Sequence, residues 1–187
     1  MPERDSPQLD PSEITRLRQW LAMQEIRDVI LRYCRGIDRM VPEIVRSCYH
    51  PDATDEHGSF SGNVDEFITW VFRVVARYSM SMHFIGNVLV DFADTPEGAV
   101  APTLARAESY GISHHRTQGG EPRANLIIGF RYIDRFERRA GNGWRIASRV
   151  ATTEWVRVDD AANQWPIPEG MRTGRRDGTD LVFAPLE

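Results

Sequence analysis

The sequence contains no lysine, so all 23 of its basic residues are arginine. Catalysis through a lysine Schiff base, the phosphate-binding lysine of P-loop proteins and kinase chemistry are therefore excluded. Only two cysteines are present, Cys34 and Cys48, and neither a disulfide framework nor a cysteine-rich metal site is expected. The motifs G-x-G-x-x-G, G-x-S-x-G and H-E-x-x-H are also missing, so dinucleotide-binding, serine-hydrolase and zincin functions have no support.

The charge and length of the chain further limit the kinds of protein that it could be. A length of 187 residues fits one domain with a core large enough to hold a cavity. A net charge of −4 argues against nucleic acid or an anionic membrane as a partner. No apolar run approaches the roughly 20 residues that a membrane span needs, and residues 1–5 lack the pattern of a secretory signal. We therefore expect a cytoplasmic protein.

The first half of the chain predicts three helices. Asp10 and Glu13 form a capping-box pattern around Pro11, and Pro42 opens a second, shorter helix. Asn63 caps a third helix that carries an apolar face. Steps of three and four in the first helix predict one buried stripe, with a break near Ala22. Its members are Ile14, Leu17, Leu21, Ile26, Ile30, Tyr33 and Ile37.

The second half predicts long strands joined by short turns. The strands are expected at 83–92, 100–115, 124–139 and 144–158, with a shorter one near 53–57, and the turns at 94–98, 118–122 and 140–143. Such connections favour consecutive antiparallel hairpins. The predicted fold class is α+β, with three N-terminal helices packed on a strongly curved, mainly antiparallel sheet. We expect a flexible arm at residues 1–11, one domain at 12–158 and a C-terminal extension at 159–187 that lies over the body or a partner subunit.

Asp38 and His83 are the strongest candidates for catalysis. Asp38 follows the apolar stripe at the end of the first helix, and His83 opens a strand. A carboxylate that orients an imidazole makes an efficient general base near neutral pH. Each residue alone could equally be structural, so the prediction depends on the two side chains meeting in one cavity.

Several other polar residues could have either a functional or a structural role. His50, Asp52 and His57 could surround a divalent metal, but their spacing is not diagnostic and His-Pro-Asp is equally a turn, so we predict no metal. Tyr33 and Tyr49 carry hydroxyls that could reach a substrate, although Tyr33 also fits the core.

The later strands supply further candidates. Tyr110 and Trp155 are predicted to face a ligand, and a buried Arg149 is expected to pair with Asp38 or to bind a substrate anion. The pair His114–His115 is expected to be solvated, and the charged run 134–139 is expected to form an exposed hairpin edge.

The order of four segments resembles the SnoaL-like branch of the nuclear transport factor 2-like superfamily. The resemblance covers residues 12–157 and depends on the segments together, none of which is specific alone. They are Tyr33–Arg39, Cys48–Ala53 with His57–Gly58, His83–Asn87, and the strand pair Gly129–Arg139 and Trp144–Arg149. The resemblance implies a cone of helices on a curved sheet with an internal pocket, usually in a homo-oligomer, here a dimer or trimer.

The scytalone dehydratase and bile-acid 7α-dehydratase types of this branch are similar in pairing an aspartate of the first helix with a histidine at a strand start. Asp38 and His83 fall at those positions, and Tyr33 and Arg149 match a tyrosine and an arginine of the bile-acid type. Scytalone dehydratase has a second histidine on the next strand, where residues 108–110 offer Glu, Ser and Tyr instead. The resemblance therefore leaves the second acid–base group open.

Together these features predict a cofactor-free lyase of dehydratase type, or an isomerase or cyclase. Asp38, His83 and Tyr33 are the expected catalytic residues, and Tyr49, His57, Tyr110, Arg149 and Trp155 the expected substrate-binding residues. The substrate is expected to be a hydrophobic small molecule, polycyclic compounds included. The alternative is a non-catalytic binding or assembly module, such as the small subunit of a ring-hydroxylating dioxygenase.

Overall fold

The computed structural model describes residues 9–94, 101–117, 124–160 and 166–186. The helices in these ranges are α1 (Pro11–Asp38), α2 (Pro42–Ser47) and α3 (Val64–Val75). The strands are β1 (Tyr49–His57), β2 (Phe60–Asn63), β3 (Tyr78–Phe92), β4 (Leu104–Thr117), β5 (Ala124–Arg139) and β6 (Gly143–Asp160). Residues 1–8 of the expected N-terminal arm and most of the expected turns at 94–98 and 118–122 lie outside the described ranges.

Helix α1 is one continuous helix, so the expected break at Ala22 is wrong. Its predicted capping box is confirmed, because Asp10 accepts the backbone N–H of Glu13 at 2.9 Å and the Glu13 carboxylate accepts that of Asp10 at 2.9 Å. The apolar stripe is buried from Ala22 onward, whereas Leu17 and Leu21 are about half exposed. A helix of 28 residues is about 42 Å long and extends past the layer it covers. No helix in the described ranges has both the length and the apolar content to cross a bilayer.

Two local features fix the shorter helices. The side chain of Asn63 accepts the backbone N–H groups of Asp65 and Glu66 at 3.1 and 3.0 Å, which confirms the predicted cap of α3. Helix α2 crosses α1 at Gly36, where an added Cβ atom would lie 2.7 Å from a methyl group of Val45. A glycine at this position therefore sets the close approach of the two helices.

The described strands form one sheet in the order β2-β1-β6-β5-β4-β3. The predicted hairpins β3–β4, β4–β5 and β5–β6 are confirmed, and bulges in the first and last of them add to the bend of the sheet. Strand β1 runs parallel to β6, which makes the sheet mixed, and β2 was not predicted. The three helices pack on this curved open sheet, so the predicted α+β cone is confirmed.

The inner face of the sheet carries a row of three buried charges. In register across β1, β6 and β5 stand Asp55, Arg149 and Asp134, each no more than 1% exposed. Arg149 donates from Nε and Nη2 to the two oxygens of Asp134, both at 2.7 Å. The expectation that Asp134 belongs to an exposed hairpin edge is therefore wrong. Asp134 alternates with the buried Tyr132 and Phe136 on the inner face of β5, and a bulge in β6 between Ile146 and Ser148 turns Arg149 to that face.

Removing one member of this ion pair should destabilise the protein strongly. Asp134→Asn should lower the free energy of unfolding by about 3–5 kcal/mol, because it leaves a buried guanidinium without its counter-charge. The double variant Asp134→Leu, Arg149→Met removes both charges and should lose less. Denaturant unfolding of the three proteins tests this, and a double variant less stable than Asp134→Asn would contradict it.

Candidate active site

Asp38 and His83 meet between the helical layer and the sheet. The carboxylate of Asp38, on the last residue of α1, receives two hydrogen bonds from His83, which lies in the first half of β3. The backbone N–H of His83 donates to Oδ2 at 2.8 Å, and Nδ1 of the ring donates to Oδ1 at 2.7 Å. The side chains are only 10% and 8% exposed. This fork fixes the ring plane and leaves Nε2 as the nitrogen available for chemistry.

Asp38 is held in its ionised form. Burial by itself raises the pKa of the Asp38 carboxyl, but the hydrogen bonds and the charge attraction from His83 outweigh burial and hold that pKa below its ordinary value. An ionised carboxylate can only accept hydrogen bonds, so Nδ1 of His83 must carry a proton. Asp38 therefore selects the tautomer in which Nε2 of a neutral His83 is unprotonated.

His83 lines a cavity of about 200 Å³ between α1, α3 and the concave face of the sheet. Its walls are mainly aromatic and aliphatic, with three histidines and a few hydroxyls among them. The aromatic and histidine members are Tyr33, His57, Trp70, Tyr78, His83, His115, Phe130 and Tyr132. The aliphatic members are Ile37, Val71, Val74, Val75, Ile128 and Ala151. Such a lining suits an apolar ligand oriented by a few polar contacts.

Gly111 makes room for one wall of this cavity. A Cβ atom added to Gly111 would lie 2.3 Å from the ring of Phe130, which stands on the neighbouring strand β5. The Phe130 ring in turn meets the ring of His83 edge-on at 5.9 Å and that of Tyr132 at 4.5 Å. A side chain at position 111 would therefore displace a ring that contacts the candidate base.

His115 also lies in the cavity wall, so the expectation that it is solvated is wrong. It is 7% exposed, its Nδ1 lies 3.0 Å from the hydroxyl of Ser81, and its ring stacks on Tyr78 at 4.7 Å. Burial and the neighbouring His83 lower the pKa of His115 to about 3. Strand β4 thus supplies a second histidine after all. It lies at position 115, and not within residues 108–110, where the resemblance to scytalone dehydratase had pointed. Alternation along β4 points to it, since Ser109, Gly111, Ser113 and His115 share the buried face.

Arg149 does not pair with Asp38, so that expectation is wrong. Its guanidinium is committed to Asp134 and lies near two aromatic rings, 4.1 Å from the centre of Tyr33 and 3.9 Å from that of Tyr132. The two rings stand nearly perpendicular to each other, and cation–π contacts join both to the guanidinium. Arg149 lies outside the cavity lining and acts on the cavity through the rings of Tyr33 and Tyr132.

Tyr33, predicted as catalytic, and the predicted substrate-binding residues separate into two groups. Tyr33 and His57 line the cavity, and burial raises the pKa of Tyr33 far above its ordinary value, so its hydroxyl stays protonated. Tyr49 is buried outside the lining and donates to Asp55 at 2.6 Å. Tyr110 is 45% exposed on the opposite face of β4, because its neighbours in the strand point inward. Trp155 is 46% exposed and packs over Gly129. Tyr49, Tyr110 and Trp155 therefore lie outside the lining of this cavity.

The alternative metal ligands do not converge. His50 donates from Nε2 to the carbonyl oxygen of Glu137 at 3.0 Å, and Asp52 accepts from Arg139 at 2.6 Å at an exposed position. His57 lines the cavity instead. Within the described ranges, no three His, Cys, Asp or Glu side chains come together as a metal site.

The C-terminal extension reaches the candidate site. Arg176 donates to three backbone carbonyl oxygens, those of Asp38 at 3.4 Å, Val75 at 3.1 Å and Tyr78. These carbonyls belong to the end of α1, the end of α3 and the start of β3. The guanidinium of Arg176 thus donates hydrogen bonds to free carbonyl groups at the ends of α1 and α3, and it links both helix ends to β3, the strand that carries His83. Arg39 and Asp180, 3.3 Å apart, add a second contact.

The sequence profile of the SnoaL-like domain matches residues 18–150. The chain belongs to this family, which is a branch of the nuclear transport factor 2-like superfamily. No curated protein sequence matches significantly.

Several solved structures share the fold. A proposed scytalone dehydratase from Novosphingobium aromaticivorans superposes with a TM-score of 0.64 at 18% identity, over 84% of this chain and 99% of the other. A type 2 hexachlorocyclohexane dehydrochlorinase, LinA, gives 0.67 at 16% identity, over 83% and 99%. Rv3472 from Mycobacterium tuberculosis, a protein of unknown function, gives 0.59 at 22% identity, over 73% and 78%. At these identities the likeness establishes the fold.

His115 should make the folded protein sensitive to acid. Its pKa is lowered from 6.5 to about 3, so between these values the unfolded chain binds a proton that the folded protein does not. The free energy of unfolding therefore falls as the pH drops below 6.5, by at most about 1.4 kcal/mol per pH unit from this group. In His115→Gln that part of the fall should vanish in denaturant unfolding measured across this range. An equally steep fall in the variant would contradict the assignment.

Proposed function

We propose that the protein is a small-molecule lyase or isomerase that removes a proton from its substrate with His83. The observation that carries this proposal is the fork of two hydrogen bonds from His83 to Asp38, with the free edge of the ring in an apolar cavity. Family membership and the fold shared with a dehydrochlorinase support the same reaction type.

The first step is proton transfer to Nε2 of His83. The substrate C–H bond breaks, its electron pair stays on the substrate, and the imidazolium that forms is stabilised by Asp38. In a lyase reaction that pair forms a C=C bond as the bond to the leaving group breaks, whereas in an isomerase a proton returns at another atom. General-base catalysis of this kind contributes about 10²–10⁴-fold. Exclusion of water from the cavity strengthens the Asp38–imidazolium attraction.

Neutral groups around His83 complete the proposed site. Tyr33 and Tyr132 line the cavity, and burial raises the pKa of both hydroxyls, which keeps them as hydrogen-bond donors for a substrate oxygen. His115 stays neutral near pH 7 and offers a further hydrogen-bond partner. These residues supply the chemistry of the proposal without a cofactor.

The cavity also defines the proposed substrate class. Its volume of about 200 Å³ is below the roughly 300–1,000 Å³ of pockets for drug-sized ligands. A compound with one or two rings and an oxygen function fits better than the larger polycyclic compounds that the sequence suggested. The alternative is a non-catalytic binding module, in which the Asp38–His83 fork would serve only to hold α1 against the sheet.

The proposal extends to assembly and location. Large apolar side chains are exposed on the sheet, among them Met82, Phe84 and Ile112. They support a homo-oligomer in which copies cover this surface. The expected setting is the cytoplasm.

The benzaldehyde–acetone aldol, a β-hydroxy ketone, is a suitable probe because its dehydration gives a strongly absorbing enone. We expect the wild-type protein to accelerate this dehydration, and His83→Gln and Asp38→Asn each to lose about 100-fold or more. His114→Gln changes a histidine on the outer face of β4 and should retain the activity. Absence of acceleration by the wild type, or full activity in His83→Gln, would contradict the proposed function.

A further inference from the structure

We infer that His57, oriented by the buried Asp55, is a second acid–base residue that protonates the leaving group. This inference rests on the proposed function and assigns the role that His83 and His115 leave open. His83 begins the reaction as a base, and His115, with its pKa lowered to about 3, carries no spare proton near pH 7. A hydroxyl leaving group nevertheless needs a proton as its C–O bond breaks.

Asp55 and His57 form a second aspartate–histidine pair. They stand two residues apart on the inner face of β1, and Nδ1 of His57 lies 3.4 Å from Oδ1 of Asp55. Asp55 is fully buried, and these two facing atoms have no hydrogen-bond partner among the described residues. A small rotation of the imidazole would close this gap, as in many sites whose hydrogen bonds tighten only when substrate binds. His57 also lines the cavity.

The proposed acid role requires a proton on both ring nitrogens of His57. In the row across β1, β6 and β5, the hydrogen bonds from Arg149 go to Asp134, and Oδ1 of Asp55 receives none. Within the described ranges His57 is the only basic side chain within 4 Å of Asp55. A buried carboxylate oxygen without a hydrogen bond is costly, and a second proton on His57 would offset that cost; both oxygens of Asp38, by contrast, already accept hydrogen bonds from His83. The face of Phe67, stacked on His57 at 5.5 Å, also attracts a cation.

Two histidines with opposite proton occupancy then line one cavity. Nε2 of neutral His83 accepts the proton from the substrate carbon, and the C–H electron pair becomes the C=C bond. The C–O bond breaks with its pair on oxygen, and the imidazolium of His57 donates its Nε2 proton to that oxygen to release water. The products are the alkene and water, with His83 protonated and His57 neutral. Proton exchange with solvent restores both residues.

Two ketones with different leaving groups separate the two roles. The benzaldehyde–acetone aldol loses hydroxide, which needs a proton, whereas its β-chloro analogue loses chloride, which does not. We expect His57→Gln to slow the aldol about 100-fold or more relative to its effect on the chloro ketone. His83→Gln should slow both ketones, and His114→Gln neither.

Each outcome of this comparison is decisive. Equal losses on both ketones in His57→Gln would assign His57 a structural role and overturn the inference while the proposed function stands. Full activity of His83→Gln on both ketones would overturn the proposed function itself.

A measurement without substrate tests the charge separately, since Asp55→Asn could also weaken the core contact to Tyr49. Nitrogen NMR of the histidine-labelled protein at neutral pH should show His57 as an imidazolium in the wild type and as a neutral ring in Asp55→Asn. A circular dichroism spectrum like that of the wild type confirms that the variant is folded. A neutral His57 in the wild type, or a charged one in Asp55→Asn, would overturn the inference.

Discussion

The carboxylate of Asp38 accepts both the backbone and the ring N–H of one residue, His83, and the candidate site depends on this fork. A single hydrogen bond to Nδ1 would choose the tautomer but allow the ring to swing. The second bond, to the backbone, fixes the strand relative to the end of α1. Because Asp38 is the last residue of α1, any shift of the helix along the sheet would break both bonds. The packing of α1 on the sheet and the orientation of His83 therefore depend on the same two hydrogen bonds.

The rest of the core holds that constraint in place. Arg149 and Asp134 form a buried bidentate pair. The guanidinium also makes cation–π contacts with Tyr33 on α1 and Tyr132 on β5. Tyr33 lies on α1 five residues before Asp38, so its contact with Arg149 also holds this end of the helix against the sheet. From outside, Arg176 of the C-terminal extension joins the ends of α1 and α3 to the start of β3. This arginine lies beyond the matched SnoaL-like region, which ends at residue 150.

Local chemistry was enough to predict the helix caps and the three hairpins, whereas the pairing of Asp38 with His83 was a hypothesis that the family resemblance supported. Asp10 and Asn63 act within their own turns, and short loops force neighbouring strands to pair. Long-range register was not predictable in the same way. The bulge in β6 between Ile146 and Ser148 turned Arg149 inward and gave Asp134 its partner, and no residue in the preceding turn indicates that bulge. His115 was misplaced because β3 begins at Tyr78, five residues before the predicted start, so that Ser81 pairs with it inside the ladder.

The account's central claim is that Asp38 holds His83 with a proton on Nδ1 and a free Nε2. Long-range proton–nitrogen NMR of the histidine-labelled protein at slightly alkaline pH reads this directly, with Asp38→Asn as the reference. The account predicts the Nδ1–H tautomer for His83 in the wild type and a loss of that preference in the variant. A wild-type His83 protonated on Nε2, with Nδ1 bare beside Asp38, would contradict it.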